Sequence, residues 1–185
     1  MDDAVLDPAW QVPAFRSEIL APRRHDVALV IPVINEGERI RAQLSRIRAL
    51  APAVDVIIAD GGSDDGSLET GFLLQAGVNT LLAKTGPGRL SAQLRIGYAF
   101  ACARGYQGIV TMDGNGKDGP EAIPLFLAAL EQGFALVQGS RYVAGGIAEN
   151  TPHDRWFAGR FVHAPMVSLA TRRWFTDTTN GFRAY

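Results

Sequence analysis

The 185-residue sequence has only one cysteine, Cys102, so no disulfide can form within the chain. The apolar neighbours of Cys102 predict a buried thiol rather than a nucleophile, and a free thiol is compatible with a reducing compartment. No apolar run reaches the roughly 18 residues that a membrane-spanning helix needs. The first residues include Asp2, Asp3 and Asp7 and have no apolar core, so they do not resemble a signal peptide. These absences predict a cytoplasmic protein.

Neither sign of charge is in excess. The chain has 18 Lys and Arg against 19 Asp and Glu, and its formal net charge is −1. Such a chain has no general attraction for nucleic acid, so we expect no nucleic-acid partner, and any phosphate must be bound by local arginines and loops. With 47% hydrophobic and 20% charged residues, the composition is that of one globular domain with a sizeable core.

Two glycine-rich signatures of nucleotide binding are also missing. Residues 33–36 follow the first predicted strand, where a dinucleotide-binding domain would have G-x-G-x-x-G, and the chain has no P-loop. The sequence therefore argues against a nicotinamide-binding Rossmann domain and against a P-loop nucleotidase.

Short apolar runs alternate with helical patterns along the chain. Strands are predicted at 27–31, 54–59, 80–83, 109–112 and 134–137, and the first of them is expected to end at Pro32. The first helix is predicted to follow a cap at Asn35. Further helices are predicted at 67–76, from 90 to about 105, and from Asp118 and Pro120 to Gly133. This alternation predicts an α/β fold with a mostly parallel central sheet and helices on both faces. Residues 1–26 are predicted to form an N-terminal arm across the surface, and residues 27–185 the domain itself.

Three predicted strands end at Pro32, Asp60 and Asp113, which places these residues at one edge of the sheet, where open α/β sheets bind ligands. Gly114 and Gly116 follow Asp113 and would let a bound group approach the backbone closely. The alternative is an ordinary strand-to-helix connection in which the aspartate only caps a helix.

The composition of this edge suits a nucleotide. A carboxylate can accept hydrogen bonds from a base or ribose, and the cations at Lys84, Arg89 and Lys117 can meet a diphosphate. Five segments, in this order, resemble the family 2 glycosyltransferases of GT-A fold, and among them the dolichyl- or polyprenyl-phosphate sugar transferases. They are Pro32-Val33-Ile34-Asn35-Glu36, Ala59-Asp60-Gly61-Gly62-Ser63-Asp64-Asp65-Gly66-Ser67, Met112-Asp113-Gly114-Asn115, Gly139-Ser140-Arg141-Tyr142 and Asn180-Gly181-Phe182-Arg183-Ala184-Tyr185.

The resemblance implies a nucleoside-diphosphate sugar, such as a UDP- or GDP-sugar, as donor and a lipid phosphate as acceptor. It implies that Asp113 and Asn115 hold Mg²⁺ or Mn²⁺ against the diphosphate and that Arg141 and Arg183 face phosphates. A surface salt bridge is the alternative for Arg183. The residues expected to contact the donor are Pro32, Val33, Asn35, Glu36, Asp60, Gly61, Lys84, Asp113, Gly114 and Asn115.

Two departures from the family pattern concern the donor site. Asp60 stands alone before Gly61, where the family often has two aspartates, and Lys117 stands where lipid-phosphate members often have a glutamine ligand. Asp113, Asn115 and Lys117 together carry no net charge, which weakens the attraction for a divalent cation. We hypothesise that Lys117, as a catalytic group beside Asp113, partly substitutes for the cation by pairing with the donor diphosphate, so that metal dependence is weakened or lost. The alternative is that Lys117 points to solvent and Asp118 supplies the missing ligand.

The acceptor determines whether a catalytic base is needed. A phosphate monoester, whose second pKa is about 6, is largely dianionic at neutral pH and needs none, whereas a saccharide hydroxyl would need one, with Glu149, Asp154 and Asp177 as candidates. We expect transfer to a polyprenyl phosphate with inversion. The alternatives are transfer to a saccharide hydroxyl in cell-surface polysaccharide synthesis, and a nucleotide-sugar-binding domain with weakened catalysis.

Aromatic residues near the end of the chain predict a peripheral contact with the inner face of the cytoplasmic membrane. Trp156, Phe157, Trp174 and Phe175 suit a membrane boundary, and Arg155 and Arg160 lie beside an apolar stretch, 157–169. Ordinary core packing is the alternative. The chain stops at its last motif without a following helix, and we expect a domain truncated at its C-terminus.

Overall fold

The computed structural model describes residues 8–143 and 156–185. In these residues, seven strands form one sheet in the order β1-β4-β3-β2-β5-β7-β6. The strands are β1 (Phe15–Ile19), β2 (Val27–Val33), β3 (Asp55–Asp60), β4 (Val78–Lys84), β5 (Gly108–Thr111), β6 (Val137–Gln138) and β7 (Arg183–Ala184). The helices are α1 (Glu38–Leu50), α2 (Thr70–Gln75), α3 (Leu90–Ala103), α4 (Ile123–Glu131) and α5 (Ala164–Thr171). Single 3-10 turns lie at Pro8–Trp10 and Pro120–Ala122, and a π-helical segment, Ala158–His163, leads into α5.

The centre of the sheet is parallel. Strands β4, β3, β2 and β5 run in the same direction, joined by helical crossovers, while β1, β6 and β7 add antiparallel pairs at the two sides. Strand β3 is buried along its whole length and β2 along all but its first residue, which explains their continuous apolar runs. The predicted mostly parallel α/β sheet is confirmed.

Successive side chains of the central strands point to opposite faces of the sheet and belong to two separate apolar cores. Leu29 and Ile31 pack on the face covered by α1, whereas Val30 packs with Ile96 of α3. Helix α3 lies close to the sheet, since a Cβ on Gly97 would stand 2.4 Å from Val30 Cγ1. This close packing brings the start of α3 to the carboxyl ends of β2 and β3. No helix in the described residues is both long and apolar enough to cross a membrane.

Strand β1 was not predicted. It pairs antiparallel with β4, from Phe15 opposite Lys84 to Ile19 opposite Thr80, within the segment expected to form an arm across the surface. Its side chains are half-buried or exposed and show no clean alternation, so the sequence carries no strand pattern there. The edge of β4 has backbone N–H and C=O groups that need partners, and β1 pairs with them.

Pro32 does not end β2, contrary to the prediction. The ladder between β2 and β5 stops at Val30 opposite Thr111, while the pairing with β3 continues to Val33 opposite Asp60. Because Pro32 faces the side of β5, beyond the end of that ladder, its missing N–H removes no sheet hydrogen bond.

Three other element boundaries differ from prediction. Helix α1 begins after Gly37 with no side-chain cap, so the Asn35 cap was wrong. Helix α2 is shorter than 67–76, since Ser67 instead donates its hydroxyl to Asp65. Strand β6 is shorter than 134–137, because its partner β7 offers only two residues.

The environment of Cys102 was also predicted wrongly. The thiol is exposed, because α3 directs Phe100 and Ala101 toward the sheet and turns Cys102 to the outer side.

Candidate functional site

A cleft of about 410 Å³ opens at the carboxyl ends of β2, β3 and β5. Every predicted donor contact except Asn35 and Asp60 lies on it. The lining residues are Pro32, Val33, Ile34, Glu36, Gly61, Lys84, Gly88, Arg89, Leu90, Gln93, Asp113, Gly114 and Asn115. The fold therefore brings together residues that are up to 83 positions apart in the sequence.

Asp60 and Asn35 build the loops behind the cleft wall. Asp60 is buried, and its Oδ1 accepts hydrogen bonds from the backbone N–H of Gly62 and from both the N–H and hydroxyl of Ser63. Asn35 exchanges two 2.9 Å hydrogen bonds with Asp64, so the loops after β2 and β3 are tied together. Direct contact of Asp60 or Asn35 with a donor stays a prediction.

Gln93 of α3 is a site residue that sequence analysis missed. Its Nε2 donates to the carbonyls of Val33 and Ala59 at 2.7 and 2.8 Å, which ties the ends of β2 and β3 together. A Cβ on Gly61 would lie 3.0 Å from this nitrogen, so a larger residue there would press on the Gln93 amide. The signal available in the sequence was the position of Gln93, a single amide side chain three residues before Ile96 and therefore on the buried face of α3.

Gln43 of α1 was missed in the same way. Its Nε2 donates to the carbonyl of Asp113, and its Oε1 accepts from the N–H of Gly116, so one buried side chain holds both ends of the Asp113 loop. The loop lies so close to β2 that a Cβ on Gly114 would stand 2.9 Å from the Pro32 carbonyl oxygen. Gly114 is thus required for this approach.

The last segment of the chain packs against the Asp113 carboxylate. A Cβ on Gly181 would be 2.7 Å from Asp113 Oδ1. Burial raises the pKa of Asp113, and the positive charges of Arg183 and Lys117 oppose that rise. Lys117 is exposed, yet its charge still acts on Asp113. The carboxylate is therefore flanked by two predicted cationic groups.

Arg141 is engaged by a buried carboxylate. Its Nε and Nη2 donate to Asp177 at 2.7 and 3.1 Å, and Nη2 also donates to the hydroxyl of Thr179. Burial opposes ionisation of Asp177, which is 1% exposed, but hydrogen bonds from Arg141 and the Thr179 N–H outweigh it and lower the pKa. Asp177 was one of three candidate bases, and its oxygens are engaged by Arg141, so a role as base stays a prediction. The other candidates, Glu149 and Asp154, and also Arg155, lie outside the described residues.

Arg183 folds back on its own segment. Its Nε donates to the carbonyl of Asn180 and its Nη2 to that of Thr178. Within residues 8–143 and 156–185 it makes no salt bridge, so the alternative of a surface ion pair does not hold there. Both arginines thus order the chain around Asp113, and their contact with a phosphate stays a prediction.

Asp118 was expected to begin and cap the next helix, but it does neither. Its Oδ2 accepts from the backbone N–H of Asp113 at 3.2 Å, and the following 3-10 turn has no side-chain cap. Burial, together with the charge of Asp113, raises the pKa of Asp118 to about 6, against the opposing effects of that N–H and Arg141. Asp118 therefore lies behind Asp113, on the side of Arg141.

The protein groups around Asp113 provide few ligands for a metal. Asn115 Oδ1 accepts from the Lys117 N–H, and Asp118 is directed at the backbone of Asp113. In the part of the chain that the structure describes, no three His, Cys, Asp or Glu residues form a group that could hold a metal ion. The residues present do not make a metal site of their own for the expected Mg²⁺ or Mn²⁺.

Asp118→Asn is expected to raise the free energy of unfolding by about 2 kcal/mol at pH 7 and by much less at pH 4. The folded-state pKa of about 6 lies above the ordinary 3.8, so the native protein binds the proton more tightly and loses stability as the pH rises between these values. Urea unfolding at both pH values would measure the difference. An equal effect at pH 4 and 7 would contradict the prediction, and Asp26→Asn, at an exposed position, is the matched control.

An exposed apolar surface lies on the helical segment after residue 155. Trp174 and Leu169 are 87% and 83% exposed, and Trp156 and Phe157 are also exposed, whereas Phe175 is half-buried. The alternative of core packing therefore fails for Trp156, Phe157 and Trp174. The exposed basic residues of this segment are Arg160, Arg172 and Arg173.

Comparison with known proteins gives a family match. The profile described as Glycosyl transferase family 2 matches residues 28–184. The chain is 30% identical over 160 residues to polyprenol monophosphomannose synthase of Mycolicibacterium smegmatis, covering 85% of this chain and 60% of that protein. It is 34% identical over 166 residues to undecaprenyl-phosphate mannosyltransferase of Micrococcus luteus, covering 86% and 65%. The chain thus spans about three fifths of the length of these curated relatives.

A solved structure confirms the expected GT-A fold. Glucosyl-3-phosphoglycerate synthase from Mycobacterium tuberculosis, in complex with Mn²⁺, uridine diphosphate and glucosyl-3-phosphoglycerate, is similar with a TM-score of 0.59 and 19% sequence identity. The match covers 85% of this chain and 55% of that one. At this identity the likeness concerns the fold alone.

Proposed function

Because the chain belongs to glycosyl transferase family 2, we propose that it moves a sugar from a nucleoside-diphosphate sugar to a polyprenyl phosphate, with inversion at the anomeric carbon. The observation that carries this proposal is the cleft, which has the carboxylate of Asp113 on one side and the cations Lys84 and Arg89 on another. The names of the curated relatives, which refer to polyprenol and undecaprenyl phosphate, support the choice of acceptor.

The base and ribose of the donor are proposed to bind beside Glu36. Glu36 Oε2 forms an ion pair with Arg39 Nη2, which lies 3.1 Å away. The geometry of this pair is not that of a hydrogen bond, so the oxygen accepts no hydrogen bond. A donor N–H or O–H would satisfy this oxygen. Uridine and guanosine both carry such groups, so both UDP- and GDP-sugars are candidate donors.

The diphosphate is proposed to lie between Asp113 and the cations of the cleft. Lys84 and Arg89 line the cleft, and the charges of Lys117 and Arg183 act on Asp113. These groups would stabilise the negative charge that develops on the leaving nucleoside diphosphate. Since the protein supplies few metal ligands, we expect Lys117 to take over part of the role of a divalent cation and metal dependence to be weak. Asp118 as a metal ligand is the alternative.

The acceptor phosphate is proposed to act without a protein base. One of its anionic oxygens would attack the anomeric carbon from the face opposite the diphosphate. The bond between that carbon and the leaving oxygen breaks, and its electron pair departs with the nucleoside diphosphate. Asp177 is held in an ion pair with Arg141, which favours an acceptor that is already charged over a saccharide hydroxyl.

We propose that the exposed apolar surface rests on the inner face of the cytoplasmic membrane. Trp156 and Trp174 would lie at the lipid boundary, where aromatic rings are favoured, and Arg160, Arg172 and Arg173 would face anionic head groups. A lipid phosphate could then reach the cleft without leaving the bilayer.

Calorimetric titration with UDP and GDP, each with and without Mg²⁺ or Mn²⁺, tests the donor site. We expect a Kd in the micromolar range for one nucleotide, weakened about tenfold by Lys117→Ala and less by removal of metal. Arg95→Ala, an exposed cation of α3 outside the cleft lining, is the control. Strict metal dependence would contradict the role of Lys117, and no binding of either nucleotide by the folded protein would contradict the donor site.

Transfer assays distinguish the acceptors. Sugar transferred from a labelled donor to polyprenyl phosphate in detergent is the expected result, and transfer only to oligosaccharide would favour the hydroxyl acceptor. Nucleotide binding without any release of free nucleoside diphosphate would favour a binding domain with lost catalysis.

A further inference from the structure

The N-terminal arm, residues 8–26, lies outside the part of the chain that matches the family, which begins at residue 28. It is nevertheless built into the domain. Val12 and Phe15 pack against the core on the α3 side of the sheet, and β1 extends the sheet beyond β4. The arm is therefore an addition to the common domain with a fixed place beside it.

The start of the arm holds the loop that follows β4. The Ala14 carbonyl accepts two hydrogen bonds of 2.8 Å, from the backbone N–H groups of Thr85 and Gly86. The packing leaves no room for a side chain, since a Cβ on Gly86 would lie 2.8 Å from the Ala14 nitrogen and 3.1 Å from Pro13 Cβ. The loop is thus fastened to the arm by both hydrogen bonds and contact.

This loop forms one wall of the cleft. Lys84, Gly88 and Arg89 line it directly, and Lys84 Nζ is turned back onto the Gly86 carbonyl at 3.0 Å. Two of the three cations expected to meet the diphosphate, Lys84 and Arg89, therefore lie on the segment that the arm fastens. The arm residues 13–15 are not among the residues that line the cleft.

We propose that residues 13–15 of the arm are positioning residues for the donor, which hold the loop 84–89 in the shape that binds the diphosphate. This inference rests on the proposed function, because it assumes that the cleft binds a nucleoside diphosphate. A loop ordered in advance loses less conformational freedom when the ligand binds, so the arm strengthens donor binding without touching the donor. Because Lys84 and Arg89 are also proposed to stabilise the charge that develops on the leaving diphosphate, a displaced loop slows the chemical step as well.

Gly86→Ala tests the proposal in the full chain. Gly86 does not have a positive φ, so the new methyl group acts through its collision with Pro13 and Ala14. We expect the Kd for UDP or GDP, and the KM for the donor, to rise about tenfold, and kcat to fall as well because Lys84 and Arg89 are displaced. Gly71→Ala is the matched control, because no atom lies within 4 Å of its added Cβ and Gly71 is in helix α2, away from the cleft.

Hydrogen exchange at the amides of Thr85 and Gly86 separates a positioning role from a general loss of stability. We expect faster exchange at these amides in Gly86→Ala and, to a smaller extent, in Pro13→Gly, which loosens the arm without changing the loop. If Gly86→Ala does not fold, the same measurements of exchange and nucleotide affinity are made on Pro13→Gly.

Three results would overturn the proposal. One is faster exchange with nucleotide affinity equal to that of Gly71→Ala, and another is unchanged exchange in both variants. In either case the wild type still binds nucleotide, so only the role of the arm fails. The third is a folded wild type that binds neither nucleotide, which removes the proposed function and the role of the arm with it.

Discussion

Asp113→Asn is expected to lower the rate of sugar transfer by roughly 10² to 10³-fold, the order of effect that loss of one preorganised polar group has in an active site. The substitution keeps the shape of the side chain and removes the negative charge that lies beside Arg183 and Lys117. Without it, Arg183 and Lys117 lose a neighbouring countercharge, and the cleft loses the carboxylate that is proposed to hold any divalent cation. The backbone contacts of Asp113 with Gln43 and Asp118 do not depend on the side chain.

Single-turnover transfer from a labelled donor measures this effect, with thermal unfolding as the check on folding. Asp26→Asn is the matched control, because Asp26 is 80% exposed and lies at the opposite end of the sheet. A transfer rate within threefold of the wild type would show that Asp113 is not part of the reacting site.

Asp55→Ala is expected to lower the free energy of unfolding by about 3 kcal/mol while leaving donor binding intact. Asp55 is 1% exposed at the start of β3, and its carboxylate accepts from the backbone N–H groups of Arg24 and His25, from Asn79 Nδ2 and from the Tyr106 hydroxyl. Removing it leaves buried donors without an acceptor. Asp55 lies roughly 17 Å from Asp60 along the same strand, so the cleft is not disturbed.

Urea unfolding with and without a nucleoside diphosphate measures both halves of this prediction, and Asp26→Ala provides the exposed control. A loss of stability below about 1 kcal/mol would mean that the Asp55 network is dispensable. Normal stability with lost nucleotide binding would mean that Asp55 acts at the cleft rather than on the fold.

The sequence predicted the edge of the sheet where the cleft lies. Buried parallel strands have continuous apolar runs, so the ends of β2, β3 and β5 are visible in the sequence, and Asp60 and Asp113 follow two of them. Five motifs in order then indicated the fold. These features are local in the chain or depend on order alone, which is why they could be identified without a structure.

The residues that support the cleft could not be predicted in this way. Gln43 and Gln93 are isolated polar residues on helices, and their partners are backbone carbonyl and N–H groups that lie from 34 to 73 residues away. The partner of Arg141 likewise depends on the path of the last segment, which brings Asp177 back to it. Such contacts exist only once the helices and the final strand have packed.

The position of β7 also determines when the cleft can form during synthesis. Although β7 follows β6 in the described residues, it lies between β5 and β6, and β6 pairs with β7 rather than with β5. On the ribosome, β2 to β5 can associate while β6 still has no neighbour, and Gly181 reaches Asp113 only after residues 180–184 have emerged. We therefore expect a nascent chain that lacks these residues to contain the parallel half of the sheet but to hold nucleotide poorly, with β6 open to proteases.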